Sequence, residues 1–139
     1  MSNNFGPRQH EEKLVPTILK TLMNNKKIPV YGTGKNVRDW FYVKDCAAMV
    51  HTVFDKGIPG ETYNLTHENE MTNLEIIDII CRVCNKNPDE SVEFIKDRPG
   101  HDFRYSISNK KVKLLGIEEP HNFKDAITET INYWQEQNN

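Results

Sequence analysis

The sequence predicts an α/β fold, on three observations. Stretches with apolar residues at helical spacing alternate with short runs of β-branched and aromatic residues. Clusters of glycine, proline and asparagine fall between those stretches, where turns belong. The 139 residues, 37% of them apolar, suffice for one packed core, because a chain of this length buries roughly two-thirds of its unfolded surface.

The elements follow in order. A first helix is expected to start near Glu11 and Glu12, whose charge suits a helix N-terminus. Leu14, Val15, Ile18, Leu19 and Leu22 form its apolar stripe, and Pro16 is tolerated in its first turn. Ile28, Pro29, Val30 and Tyr31 read as a strand closed by the Gly32–Asn36 loop, and residues 38–43 as a second extended stretch. A helix over about 45–55 ends at Gly57-Ile58-Pro59-Gly60, and residues 62–65 read as another strand. Thr72-Asn73-Leu74-Glu75 fits a capping box, which opens a helix reaching about Cys84. Residues 92–95 form a strand, 97–101 a polar loop, 108–115 a short helix ending at Gly116, and 123–137 a terminal helix. The helices from Asp45 and Thr72 carry apolar residues on more than one stripe, which predicts cover from several sides. A doubly wound sheet that could give this cover is not expected within these residues, so the chain reads as part of a larger fold.

Composition excludes several classes. Eighteen basic against twenty acidic side chains give a net charge of −2, without the basic excess of a nucleic-acid-binding domain. The apolar runs fall far short of a membrane span, and the polar N-terminus does not read as a signal peptide. Three cysteines do not make a disulfide framework. The expected setting is therefore cytoplasmic, with neither nucleic acid nor membrane as partner.

Most short motifs dissolve on inspection. Gly32-Thr33-Gly34 lacks the third glycine of a dinucleotide fingerprint, since Val37 stands there, and an extended run follows instead of a helix. Tyr31 and Lys35 match Tyr-x-x-x-Lys, but the two glycines between them forbid the helical turn that would pair them. Cys81 and Cys84 lack a second ligand pair for zinc and read as small buried apolar residues, so a metal site is not expected. The five histidines are scattered, and no catalytic residue is assigned. What remains suits an anionic ligand: Arg8, Lys13, Arg38, Arg98 and His101, with Asn3, Asn4 and Asn64. Tyr31, close to Pro29, offers a flat wall for a base. Taken alone, the same charges fit a solvated surface equally well.

Several segments carry a resemblance. These are Ser2-Asn3-Asn4-Phe5-Gly6-Pro7, Glu12-Lys13-Leu14-Val15-Pro16, Pro29-Val30-Tyr31-Gly32, Arg38-Asp39-Trp40-Phe41-Tyr42-Val43, Gly60-Glu61-Thr62-Tyr63-Asn64 and Asp97-Arg98-Pro99-Gly100-His101-Asp102. In this order they resemble the C-terminal part of the dTDP-glucose 4,6-dehydratases, which are extended short-chain dehydrogenases/reductases. The Asn-Asn-x-Gly-Pro and Arg-Asp-Trp segments are shared with sugar-nucleotide epimerases and decarboxylases; Asp-Arg-Pro-Gly-His-Asp favours the dehydratases. The fold implied is the substrate-binding portion of that architecture over residues 1–139, lacking most of the Rossmann domain.

The resemblance further implies chemistry in which bound NAD oxidises the sugar C4 hydroxyl, water leaves across C5 and C6, and the hydride returns to C6. The NAD fingerprint, the Tyr/Lys pair and the Thr-Asp-Glu segment of the family lie upstream of the matched part, so this chain alone is expected to be inactive. By matched position, Asn3 falls near the nicotinamide and Asn4 near the sugar diphosphate. Lys13, Leu14, Pro29 and Tyr31 line the base and ribose pocket, and Arg38 and Arg98 face the diphosphate. Asn64 and His101 complete the nucleotide site. The implied partners are dTDP-glucose or UDP-glucose, a separately encoded N-terminal half, and a second copy in the complete homodimeric enzyme. Two alternatives stay open: another sugar-nucleotide enzyme (a UDP-glucose 4,6-dehydratase, an epimerase or a decarboxylase), or a non-catalytic sugar-nucleotide-binding remnant.

Overall fold

In the computed structural model, which describes residues 1–137, the strands are short and the helices carry most of the core. The order is β1 (Asn3–Phe5), α1 (Leu14–Met23), β2 (Ile28–Tyr31), β3 (Val37–Tyr42), α2 (Val43–Lys56), β4 (Glu70–Thr72), α3 (Asn73–Val83), α4 (Pro88–Ser91), β5 (Val92–Ile95), α5 (Lys110–Lys113) and α6 (Phe123–Gln137). Strand β3 lies between β1, which is parallel to it, and β4, which is antiparallel. A separate parallel pair joins β2 to β5, with Tyr31 opposite Ile95. With neighbours on both edges, β3 buries five of its six residues.

The main core forms where the apolar faces of α1, α3 and α6 meet. Val15, Ile18 and Leu19 pack with Ile76, Ile77 and Ile80 and with Ala126, Ile127 and Ile131. Each fully buried aliphatic side chain there contributes about 1.5–3 kcal/mol. Helix α3 is fixed at its start by a reciprocal cap. The Glu75 N–H donates to Thr72 Oγ1 at 3.2 Å, and the Thr72 N–H donates to Glu75 Oε2 at 2.6 Å. The same bond holds the Glu75 carboxyl below its usual range.

Several boundaries differ from expectation. Residues 62–65 form no strand. Leu65 is buried and its carbonyl takes one bond, from the Ser2 N–H at 3.0 Å, while Asn109 Nδ2 holds the Thr66 carbonyl at 2.9 Å. One backbone bond and the side chains of Lys111, which holds the Thr62 carbonyl at 2.9 Å, and Asn109 stand in for a ladder here. The strands missed, β1 and β4, have three residues each, too few for alternation to register. Helix α1 begins at Leu14 rather than Glu11, and α2 follows β3 without a loop, two residues before Asp45. Helix α5 keeps one turn of the expected 108–115, and the one-turn α4, capped by Asn87, was not foreseen. The cover expected for both apolar helices splits. Helix α3 finds it within this chain, from α1 and α6, whereas α2 leaves Val43, Val50 and Phe54 exposed.

Two consequences are testable. Gly34 has φ +67°, and a Cβ there would meet Leu74 Cγ and Val30 Cγ1 at 2.7 Å. Gly34→Ala should therefore cost roughly 2–4 kcal/mol, from left-handed strain plus overpacking. Urea unfolding measures it, and a loss under 1 kcal/mol would contradict the geometry. Asp39 is buried, and desolvation raises its carboxyl pKa above the ordinary value despite the bond from the Asn69 N–H. Since the folded state holds that proton more tightly, the contribution is present below the unfolded pKa of ~3.9 and lost as pH rises through the folded value. Asp39→Asn keeps an acceptor without the charge. Thermal melts should show the variant gaining on wild type as pH rises above about 4; a pH-independent difference would refute this.

Candidate functional site

Alternation along three strands builds one side of a cleft. In β2, Ile28 and Val30 enter the core, which turns Pro29 and Tyr31 the other way. In β3, Arg38 and Trp40 share a face, and Asn3 of β1 lies opposite Trp40 in register. The start of α1 supplies Lys13 and Leu14, and the loop after β5 supplies Arg98 and His101. Together these residues surround a space of about 370 Å³, with Glu12, Thr17 and Asn73 completing its lining.

The sequence-derived candidates divide here. Asn3, Lys13, Leu14, Pro29, Tyr31, Arg38, Arg98 and His101 all line the cleft. Asn4, Asn64 and Arg8 do not. Asn4 follows Asn3 in a strand, so its side chain takes the opposite face and donates to the Ser2 carbonyl at 3.4 Å. Asn64 is exposed in the irregular segment before Leu65. Asn73, Trp40, Glu12 and Thr17 went unnoticed. For Asn73 a signal existed: it is the first helical residue after the Thr72 cap, and its backbone N–H donates to the Asn36 carbonyl at 3.1 Å. That bond pins α3's start beside the strands, with the Asn73 side chain in the cleft wall.

The cationic groups are held in different ways. Arg38 is buried, with Nη1 donating to the Val37 carbonyl at 2.7 Å and Nη2 to the Asp102 carbonyl at 2.8 Å. Carbonyl acceptors satisfy its hydrogens without cancelling its charge. Arg98 is exposed, and its backbone N–H donates to Asp97 Oδ1 at 2.9 Å. The same oxygen lies 2.7 Å from His101 Nδ1, and this contact, with the Arg98 N–H, keeps the Asp97 carboxyl below the usual range. Gly32, at φ +57°, leaves room for it, since a Cβ there would stand 2.8 Å from Asp97 Oδ2. The cleft thus offers two guanidinium groups and an ammonium beside an aromatic and proline wall.

A second cavity of about 310 Å³ lies elsewhere, lined by Trp40, Tyr42, Asp45, His67 and His121 among others. There the His121 ring and backbone N–H both bond Asp45, which ties the segment before α6 to the first turn of α2. Among the described residues, no group of three or more His, Cys, Asp or Glu side chains is arranged to hold a metal ion, and no helix is long and apolar enough to cross a membrane.

Known proteins share this fold. The family model described as GDP-mannose 4,6 dehydratase matches residues 1–130. A dTDP-glucose 4,6-dehydratase from Escherichia coli is 40% identical over 144 positions, covering 96% of this chain and 40% of that protein. The structure of dTDP-glucose 4,6-dehydratase from Bacillus anthracis in complex with NAD superimposes with a TM-score of 0.88 at 38% identity, covering 97% of this chain and 43% of that one. That of DesIV, a dTDP-glucose 4,6-dehydratase from Streptomyces venezuelae with NAD and TYD bound, gives 0.91 at 34% identity, covering 97% and 42%. The chain therefore spans about two-fifths of the length of these relatives. It belongs to the GDP-mannose 4,6 dehydratase family and has the α/β architecture of the C-terminal portion of its extended short-chain dehydrogenase/reductase members.

Proposed function

We propose that this chain supplies nucleotide-sugar recognition to a dTDP-glucose 4,6-dehydratase. The observation that carries this reading is the convergence of Lys13, Arg38 and Arg98 with Pro29 and Tyr31 on one cleft. A nucleoside diphosphate needs a flat apolar wall at one end and forked cations at the other. Tyr31, half exposed beside Pro29, takes the base, with Lys13 and Leu14 closing over base and ribose. Arg38 and Arg98 grip the diphosphate, with His101 and Asn73 beside them.

NAD, when bound, accepts and returns the hydride of such a reaction. Among these residues the group that fits toward it is the Asn3 carboxamide, at the Trp40 end of the cleft. The Gly32–Gly34 turn leads into β3 rather than into a helix, so it does not cradle the cofactor phosphates. An NAD-binding part outside these residues completes the proposed enzyme. It would cover the apolar stripe that α2 leaves in water, where Phe54 is 86% exposed.

Two experiments test this reading. The isolated 139-residue chain, given NAD and dTDP-glucose, should form no 4-keto product, because it brings neither the hydride acceptor's site nor a placed base. Product formation would refute the division of labour. In the complete protein, calorimetric titration with dTDP-glucose should show Arg38→Ala losing about 2–5 kcal/mol, as expected for a desolvated charge partner. Arg98→Ala, at an exposed position, should lose about 1.5–3 kcal/mol. Arg82 is the control, since it lies outside the cleft and pairs with Asp78 at 2.7 Å. Equal losses for all three variants would reduce the effect to bulk charge, and no loss at Arg38 or Arg98 would reject the site.

A further inference from the structure

Arg38 lines the cleft yet is only 6% exposed. Three of a guanidinium's five N–H groups are committed to the Val37, Phe103 and Asp102 carbonyls at 2.7, 3.3 and 2.8 Å. Nε–H and one hydrogen on Nη2 remain, two donors available as a fork to an oxyanion. Such a fork is useful only if its plane is fixed, and in-plane bonds to carbonyls leave the two faces of the guanidinium unsupported.

One side chain covers a face. The Tyr105 ring lies against the guanidinium, 4.5 Å from Cζ to the ring centroid. Its hydroxyl donates to the Asp102 carboxylate, and its N–H donates to the Val37 carbonyl at 3.3 Å. Between these anchors the strap of residues 102–105 is laced to the sheet: the Val37 N–H donates to the Phe103 carbonyl at 2.8 Å, and Arg104 grips Glu70 of β4 at 2.9–3.1 Å. Tyr105 is itself 50% exposed, so little core packing accounts for its place. It is also absent from the cleft lining.

We propose that Tyr105 is a positioning residue for the diphosphate end of the cleft: stacked on Arg38 and tethered to Asp102, it sets the plane in which Arg38 presents its free fork to a nucleoside diphosphate. The inference rests on the nucleotide-sugar reading and deepens it. A cation–π contact orients the arginine without neutralising it, which a carboxylate in the same place would do.

The test uses the complete protein, titrated with dTDP and with thymidine, which lacks the phosphates. Tyr105→Leu should weaken dTDP binding by roughly tenfold and leave thymidine binding within about twofold, as expected for losing a half-exposed ring stacked on a buried guanidinium. Tyr105→Phe, which keeps the ring, should stay within about threefold of wild type for dTDP. If the effect acts through Arg38, Tyr105→Leu should cost almost nothing more in an Arg38→Lys background. Equal losses for dTDP and thymidine, or full additivity with Arg38→Lys, would overturn the proposal and leave the nucleotide site standing. Failure of the wild-type protein to bind dTDP would overturn the nucleotide-sugar reading, and this proposal with it.

Discussion

The arrangement depends on how one buried cation is satisfied. Arg38 sits in a strand that is paired on both sides, and its guanidinium is bonded to backbone carbonyls of Val37, Asp102 and Phe103. The Asp102 carbonyl also takes a bond from Asn36 Nδ2 at 3.1 Å, so both its lone pairs are used. These bonds hold the strap after the 97–101 loop against β3, and the loop's other end is held by β5 pairing with β2. Arg98 and His101 are therefore placed relative to Tyr31 and Arg38 by hydrogen bonds at both ends. Two other arginines show the alternative. Arg82 and Arg104 are paired with Asp78 and Glu70, where a carboxylate cancels the charge. Arg38 keeps its charge available, which is what an anion site requires.

Much of the fold was legible in the sequence because its long elements are strongly periodic. The α3 capping box, the β2 and β5 strands and the terminal helix all stand where pattern put them. What was not legible falls into two kinds. Strands β1 and β4 are three residues long, and their pairing with β3 is a tertiary fact that no local window contains. The converse holds at residues 62–65, where a β-like composition is held by Ser2 and Lys111 instead of a neighbouring strand. Propensity describes what a segment fits, and partners decide what it becomes.

The cleft shows the same limit at finer scale. Residue chemistry and the family resemblance together picked Arg38, Arg98, Lys13 and Tyr31, which β2, β3, α1 and the 97–101 loop bring together. Asn3 and Asn4 look alike in sequence, yet a strand sends neighbours to opposite faces, and only Asn3 reaches the cleft. Asn73 reads as part of a helix cap, and it is that; its position in the first turn also places it on the cleft lining. A residue can serve both local structure and a site, and a motif explained by its cap conceals the second role.

Helices α2 and α3 bury their apolar residues to very different degrees. Both helices have apolar residues beyond one stripe, but α3's isoleucines are enclosed by α1 and α6, while α2 turns Val43, Val50 and Phe54 to water. Only the side of α2 bearing Cys46 and Met49 is covered, by Phe41 and Leu65 in a small second cluster. Helix α2 also continues β3 directly, with Tyr42 as its N-cap residue. Whatever packs on the exposed stripe thus bears on the strand that holds Arg38 and Trp40. On the proposed function that cover is the NAD-binding part. The junction at Tyr42 then links the cofactor's position to the diphosphate's through a few bonded residues, without a loop to absorb movement. Such rigidity suits a reaction in which hydride must leave and return to one sugar held at a fixed distance from its acceptor.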